Sequence, residues 1–263
     1  MLTLASPSSD PLFQHTLARV AREHLPELYG AEASVESDGV TWQGIPLVHD
    51  EVFTGLYRLG RFSSSSFLGL HPDISVHAKL LTGGLLPLCT TLASESIFNA
   101  FLSQEKSDAL LHGHSYTAHA VGCEVAKFSL DTMIGMEQKG AWSAFRQDWV
   151  ERGEAQTAIV GEEKLWSMWS TSFVSTLSFH DKVESVFALG SVLAIFLKDP
   201  SGSGYTSTAA TGLRDRLLAG NGAEVENVLH SRVLGNVLYL MASMTTTREA
   251  LAGIERTVSR AMQ

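Results

Sequence analysis

The chain has 263 residues, of which 44% are hydrophobic and 18% charged, a composition typical of a globular protein with one large domain or two small ones. Its formal net charge of −9, from 19 Lys+Arg against 28 Asp+Glu, argues against nucleic acid or an anionic membrane as partner and favours a small-molecule substrate. Cys89 and Cys123 form no Cys-x-x-Cys motif, so neither a disulfide framework nor a zinc ribbon is indicated.

The amino-terminal residues MLTLASPSSDPLFQ do not show the basic segment followed by an apolar segment that marks a secretory signal. No uninterrupted apolar run in the sequence is long enough to cross a bilayer. We therefore expect neither export nor membrane anchoring, and a reducing compartment for the two cysteines.

The first half of the chain has an α/β pattern. Asp10 and Pro11 are typical of the start of a helix, here a surface helix that stops at Pro26. The polar, turn-rich residues 30–44 follow, and after them short apolar strands alternate with helical segments, which predicts a mostly parallel sheet. The predicted strands are IPLVHDEV at 45–52, ISVHAK at 74–79 and LPLCTTLA at 86–93.

The second half contains two predicted helices, at about 118–135 and 162–178, the latter with large apolar residues at core spacing. The tail then alternates strand and helix, which predicts a second, smaller α+β unit. Its predicted elements are the strand VFALGSVLAIFLK at 186–198, the helix YTSTAATGLRDRLLAG at 205–220, the strand VLGNVLYLM at 233–241 and a last helix from Thr246 or Thr247.

One lysine and one pair of carboxylates stand out against this pattern. Lys79 follows a predicted strand and precedes a Thr-Gly-Gly turn signal, so it is either solvated at the strand end or held for chemistry. Asp50 and Glu51 end the preceding predicted strand. Strand ends are where α/β folds build their sites, although a turn carboxylate is the simpler interpretation of Asp50 taken alone.

Together, HDEVFTGLYRLG and HAKLLTGG resemble the class III aminotransferases of fold type I, which depend on pyridoxal 5'-phosphate. The resemblance implies that Lys79 is the Schiff-base lysine and Asp50 the carboxylate that keeps the pyridine nitrogen of the cofactor protonated. A neutral lysine amine is required for such chemistry, so its pKa has to fall below the usual value of about 10.4. Arg58, in the loop after Asp50, is interpreted as structural.

The segment LLHGHSYTAHAVGC at 110–123 first suggests a metal site. Its possible ligands are His112, His114, His119 and Cys123. No second Cys/His cluster completes a tetrahedral set, so we expect no metal. The resemblance instead implies a turn, matching Gly113, His114 and Ser115, that reaches the cofactor phosphate across a homodimer interface.

The form of this turn is similar to the eukaryotic biotin-pathway branch of the family, which converts 8-amino-7-oxononanoate to 7,8-diaminononanoate. In the tail, HSRVLGNVLYLM at 230–241 is similar to a substrate-binding segment of that branch. The resemblance then places Arg232 at the substrate carboxylate, which a guanidinium binds through two parallel hydrogen bonds, and Tyr239 at the wall of the pocket. A surface strand arginine is the alternative interpretation of Arg232.

The resemblance runs from about residue 10 to residue 263, yet it covers only the later half of such an enzyme. It implies that residues 1–118 are the remainder of the cofactor-binding large domain and residues 119–263 the small domain with its linking helix. The Gly-Ser phosphate loop and the aromatic ring stacked on the pyridine belong to the other half, and Trp42 is no convincing substitute. We therefore expect little activity from this chain alone.

The same branch implies S-adenosylmethionine as amino donor, a fused or associated dethiobiotin synthase unit, and a cytoplasmic or mitochondrial matrix location. Two alternatives stay open at this point. The chain is either a class III ω-aminotransferase of another substrate or a non-catalytic remnant that acts as a dimerisation or interaction partner.

Overall fold

The structure is a computed structural model, and it describes residues 11–23, 41–42, 45–110, 113–151, 164–200, 202, 204–220 and 228–263. In these ranges the helices are α1 Pro11–Glu23, α2 Ser65–Leu68, α3 Glu95–Ala100, α4 Ala120–Gln138, α5 Ser143–Glu151, α6 Thr171–Ser178, α7 Thr211–Ala219 and α8 Arg248–Met262, with 3-10 turns at Lys79–Leu81 and Lys106–Asp108. The strands are β1 Val48–Asp50, β2 Ile74–His77, β3 Thr90–Ala93, β4 Val183–Leu189, β5 Val192–Leu197, β6 Arg232–Leu234 and β7 Val237–Met241.

The first sheet has the order β1-β2-β3. Strands β1 and β2 are parallel, but β3 runs antiparallel to β2. In the described part of the chain this sheet is therefore mixed, whereas the sequence predicts a mostly parallel one. A parallel strand needs a crossover connection, usually a helix, and residues 78–89 supply only a 3-10 turn and a glycine turn, so the chain reverses direction.

The second sheet has the order β4-β5-β7-β6 and is antiparallel throughout. The sequence predicts one strand at 186–198 and one at 233–241, and both predictions are wrong because each segment is a tight hairpin. The turns contain Gly190, with φ 54°, and Gly235, with φ 62°. Glycine adopts this left-handed conformation without the steric cost that a side chain would bring, so each apolar run folds back on itself.

The helix predicted at 162–178 is shorter in the structure, where α6 begins only at Thr171. Ser170 caps α6 by accepting the backbone N–H of Phe173, which ends the preceding extended segment. Trp166 and Trp169 precede the helix and are nevertheless buried, because the extended segment bonds to Gly190 at the β4–β5 turn. The predicted start of the last helix is confirmed, with Thr247 as its cap.

The core lies on both faces of the second sheet. One face carries Leu193, Ile195, Leu238 and Leu240 and belongs to the large apolar cluster that includes residues of helices α4 to α8. The other face carries Val192 and Phe187, which pack with Phe53, Leu59 and Phe67 of the segment after β1. The second sheet therefore lies directly against the segment that carries the predicted site. The division into domains 1–118 and 119–263 stays a prediction.

Within the described ranges, none of the helices is both long enough and apolar enough to span a membrane. The predicted helix stop at Pro26 and most of the predicted loop at 30–44 lie outside the described residues.

Candidate functional site

Asp50 and Lys79 lie at the same edge of the first sheet. Asp50 is the last residue of β1, and its Cα atom is paired with that of Val76 in the parallel strand β2. The backbone N–H of Glu51 continues the ladder by donating to the Val76 carbonyl at 2.9 Å. Lys79 follows shortly after the end of β2. Carboxyl ends of adjacent parallel strands are the usual place for a ligand in an α/β sheet.

Lys79 stands in an unusual backbone conformation, with φ 52° in a residue that carries a side chain. Such a conformation costs roughly 1–2 kcal/mol and persists only where neighbours hold it. The turn is held by the Lys79 carbonyl, which accepts the N–H of Thr82, and by Ser129 of α4, whose hydroxyl donates to the Leu80 carbonyl at 2.8 Å. The turn directs the ammonium group to solvent, 5.7 Å from the centroid of the Phe53 ring.

The carboxylates around this edge divide into two kinds. Glu51 is 2% exposed and accepts three hydrogen bonds from the serine run after it. Asp73 is 1% exposed, pairs with Arg22 at 3.2 Å and accepts the N–H of Leu47. Asp50 is exposed, and the one bond found for its carboxylate among the described residues comes from the N–H of Val52 at 3.1 Å. Of these three carboxylates, Asp50 is therefore the one available to a ligand.

Arg58 lies beside this site, and its interpretation from sequence as a structural residue stays a prediction. Its guanidinium carbon lies 6.0 Å from the centroid of the Phe53 ring, the same ring that Lys79 approaches. Burial lowers the pKa of Arg58 from its usual value. The Arg58 loop is formed by Leu56 and Tyr57, both with positive φ. The sequence signal was the position of Arg58 in the Gly-Leu-Tyr-Arg turn just after Asp50, but nothing in the pattern indicates which way its side chain points.

Arg232 and Tyr239 lie directly opposite each other in the β6–β7 hairpin. Paired residues of antiparallel strands project to the same face, and the pairing continues from Tyr239 to Ala194 and from Ala194 to Phe187. This is the face on which Phe53 packs. Neighbouring strands lie about 4.8 Å apart, so Arg232 is roughly 14 Å from Phe187 along the row. The structure thus places the arginine on the face of the second sheet against which Phe53 packs.

The turn at Gly113, His114 and Ser115 is exposed and closes on itself. The Thr117 N–H donates to the His114 carbonyl, and the His114 N–H donates to the Thr117 hydroxyl, both at 2.9 Å. Helix α4 follows, and its Ser129 hydroxyl donates to the Leu80 carbonyl in the Lys79 turn. At 1.5 Å per residue, Ser129 lies about 13.5 Å along the helix from its start at Ala120, so this contact is more than two helical turns from the Ser115 turn.

The histidines of the same segment show no metal geometry in the part of the chain that the structure describes, where no group of three or more His, Cys, Asp or Glu side chains converges. His119 caps α4, because its Nδ1 accepts the N–H of Gly122 at 3.2 Å. His112 lies outside the described residues.

Known proteins similar to this chain match both its sequence and its fold. Residues 41–146 match the family described as Aminotransferase class-III. The bifunctional dethiobiotin synthetase/adenosylmethionine-8-amino-7-oxononanoate aminotransferase of Emericella nidulans is 56% identical over 257 residues, which are 96% of this chain and 31% of that protein. The bifunctional dethiobiotin synthetase/7,8-diamino-pelargonic acid aminotransferase, mitochondrial, of Oryza sativa is 37% identical over 97% of this chain and 26% of its own length.

Among solved structures, the adenosylmethionine-8-amino-7-oxononanoate aminotransferase of Methanocaldococcus jannaschii superposes with a TM-score of 0.62 at 25% identity. The superposition covers 82% of this chain and 45% of the archaeal one. The chain thus spans about a third or less of the two curated relatives and under half of the solved structure. The likeness confirms the predicted α/β class and its partial fold-type I architecture. On these matches the chain belongs to the class III aminotransferase family.

Proposed function

We propose that this chain is the lysine-bearing part of a pyridoxal-phosphate-dependent aminotransferase that converts 8-amino-7-oxononanoate to 7,8-diaminononanoate in biotin biosynthesis. One observation carries the proposal. Asp50 and Lys79 lie at the carboxyl ends of two adjacent parallel strands, and both are exposed, whereas the neighbouring carboxylates of Glu51 and Asp73 are buried and hydrogen-bonded within the protein.

The residues at this edge fit the cofactor. Pyridoxal phosphate, when bound, supplies an aldehyde carbon that amines attack and a protonated ring that accepts electrons from the substrate. Lys79 offers an amine with no hydrogen bond or ion pair among the described residues, and Asp50 offers an exposed carboxylate for the ring nitrogen. Arg58 lies against the same phenylalanine ring as Lys79 and adds a second positive charge to this edge.

Within this proposal, Lys79 has two tasks. Its Nζ atom would hold the aldehyde carbon of the cofactor, and the same atom would carry the proton that leaves the reacting carbon of the amino donor. The Lys79 residue is exposed, so a substrate has access to it. Asp50 would hold the ring nitrogen of the cofactor through its exposed carboxylate.

Arg232 and Tyr239 are proposed to bind the far end of the keto acid. A guanidinium forms two parallel hydrogen bonds with a carboxylate and so orients a long flexible chain. We take the keto-acid substrate and S-adenosylmethionine, as the donor of the amino group, from the names of the relatives.

The cofactor phosphate is proposed to be bound by Gly113, His114 and Ser115 of a second copy in a homodimer. The exposed position of this turn, far along α4 from the Lys79 turn of its own chain, supports the proposal. A fused or associated dethiobiotin synthase unit is proposed from the bifunctional relatives. A cytoplasmic or mitochondrial matrix location is proposed from the family resemblance, and the word mitochondrial in the rice relative's name supports the second of these.

Covalent trapping tests the proposal and separates it from a non-catalytic remnant. The chain, assembled with the rest of the protein, is saturated with pyridoxal phosphate, reduced with borohydride and mapped by peptide mass spectrometry. We expect Lys79 to carry most of the label, Lys79→Ala to abolish the visible absorbance band, and Lys127→Ala to leave it unchanged. Lys127 is a matched control because it is exposed and pairs only with the exposed Asp131. Uniform labelling of all lysines would show that the chain has no cofactor site.

A further inference from the structure

His49 and Glu51, the two residues that flank Asp50, both contact the side chain of Ser65 on one side of the sheet. The Ser65 hydroxyl donates to Glu51 Oε1 at 3.1 Å and lies 2.7 Å from His49 Nδ1. Successive side chains of a strand point to opposite faces, so residues 49 and 51 on one face send the Asp50 side chain to the other. The hydroxyl of Ser65 thus fixes the face to which the Asp50 carboxylate points.

Glu51 is held at every polar atom that it has. Its carboxylate accepts the Ser63 hydroxyl at 2.6 Å and the Ser64 N–H at 2.8 Å, in addition to the Ser65 hydroxyl. Its backbone N–H donates to Val76, and its carbonyl accepts the N–H of Gly55. The side chain is buried, and a buried carboxylate that loses donors pays a large desolvation cost. This arrangement therefore resists rotation of the backbone next to Asp50.

The proton positions reinforce the same geometry. A hydroxyl has one proton, and Ser65 gives its proton to Glu51, so the nitrogen of His49 that faces Ser65 is the donor. Burial lowers the pKa of His49 below its usual value, which favours the neutral ring, and the neutral tautomer that fits this bond carries its proton on Nδ1. All these contacts lie on the opposite side of β1 from the exposed Asp50 carboxylate.

We infer that Ser63, Ser64 and Ser65, named here the serine clamp, are positioning residues for Asp50. By binding Glu51 and His49 they orient the Asp50 carboxylate toward the edge shared with Lys79. The inference rests on the proposed function, in which that carboxylate binds the ring nitrogen of the cofactor. Ser66 lies outside the clamp, because its exposed hydroxyl donates to the Ser63 carbonyl.

The first test uses nuclear magnetic resonance on the full 263-residue chain without cofactor. The Val52 N–H donates to Asp50 Oδ1, so its proton shift follows the ionisation of Asp50 while the carboxylate stays oriented. We expect the pH-dependent shift of Val52 to fall to half or less in Ser63→Ala/Ser65→Ala and to stay at the parent value in Ser66→Ala. If the double variant does not fold, the single variant Ser65→Ala is used for the same measurement. Equal shifts in parent, clamp variant and control overturn the inference.

The second test is a double-mutant cycle on pyridoxal phosphate affinity, measured by absorbance. If the serine clamp acts through Asp50, the Ser63→Ala/Ser65→Ala variant should weaken binding about tenfold in the parent but less than twofold in the Asp50→Ala background. Equal losses in both backgrounds would assign the clamp a purely structural role and overturn the inference. If Asp50→Ala alone leaves affinity unchanged, the proposed function of Asp50 fails, and the Val52 shift still decides whether the clamp orients the carboxylate. The Val52 shift also decides the inference if binding is too weak to measure.

Discussion

At the scale of single residues, adjacent side chains of the same chemical type lie in different environments and so have different roles. Asp50 and Glu51 are adjacent carboxylates, yet one is exposed and the other is buried among serine donors. Lys79 and Arg58 approach one phenylalanine ring from two different elements. The division follows from strand alternation, because successive side chains face different environments.

Arg232 gives the first prediction at this scale. Changing Arg232→Lys should weaken use of the keto acid by about 2 kcal/mol, roughly 30-fold in kcat/KM, because a lysine cannot form the two parallel bonds of a guanidinium. Cofactor affinity should not change. Steady-state kinetics in the enzyme assembled with the rest of the protein measure the effect. Arg256→Lys, on the exposed face of α8, is the control, and equal kinetics for the two variants would show that Arg232 is a surface residue.

His49 gives a prediction on pH. Burial lowers its pKa below the usual 6.5, an effect that the nearby Glu51 carboxylate opposes in part. Between the lowered folded-state pKa and 6.5, the unfolded chain binds more protons than the folded one, so the free energy of unfolding rises with pH through this window. Stability is therefore lost as pH falls below 6.5.

Denaturant unfolding at several pH values measures this dependence in His49→Gln and in the control His71→Gln, whose side chain is exposed. The His49 variant should lose part of the slope below pH 6.5, and the control should keep it. An identical slope in the parent and both variants contradicts the assignment of the slope to His49.

At the scale of elements, glycine turns decide how the second sheet meets the Arg58 loop. A Cβ atom on Gly190 would lie 2.3 Å from the backbone nitrogen of Gly60 and 2.5 Å from the Arg58 carbonyl. The Ser191 N–H donates to that same carbonyl at 2.9 Å. The β4–β5 turn and the Arg58 loop are therefore in direct backbone contact, which leaves no room for a side chain.

Gly190→Ala should destabilise the fold by about 3 kcal/mol or more, from overpacking added to left-handed strain. Gly83→Ala is the matched control, since Gly83 has nearly the same φ, 61°, but nothing lies within 4 Å of its would-be Cβ atom. The control should lose only about 1–2 kcal/mol. Thermal and denaturant unfolding give both values, and equal losses would mean that the close contact carries no energetic weight.

At the scale of the whole molecule, large apolar side chains are exposed along residues 85–128. Leu85 is 78% exposed, Phe128 72%, Tyr116 74% and Phe98 67%. Exposed apolar surface of this extent is typical of an interface and promotes association. The relatives that this chain matches are much longer, and the resemblance assigns the remaining phosphate donors and the ring-stacking residue to their other half.

The 263-residue chain alone should therefore bind pyridoxal phosphate weakly, turn over no keto acid and self-associate. A phosphate dianion needs several fixed donors, and the loss of two or three charge-assisted hydrogen bonds at roughly 1.5–3 kcal/mol each weakens binding by orders of magnitude. Absorbance titration, an assay for diaminononanoate and light scattering measure the three outcomes. Micromolar binding with steady turnover would show that this chain builds a complete site by itself.

The sequence alone determined the features that depend on local chemistry. Helix starts followed from Pro11 and from the Thr247 cap, because a cap bonds within its own first turn. The order of Asp50 before Lys79 at two strand ends, with a glycine turn after the lysine, sufficed to suggest both the family and an edge of the sheet. These signals lie within short segments, so they do not depend on how the chain folds elsewhere.

Only the tertiary structure decided which distant groups meet. The hairpins at Gly190 and Gly235 divided two predicted strands, and the second hairpin placed Arg232 opposite Tyr239. The contact of Phe53 with both Arg58 and Lys79, and the binding of Glu51 by the serine run, join segments that are separate in the sequence. Hydrophobic periodicity measures burial along one segment, whereas these pairings depend on close backbone approach and on the packing of one sheet face against another segment.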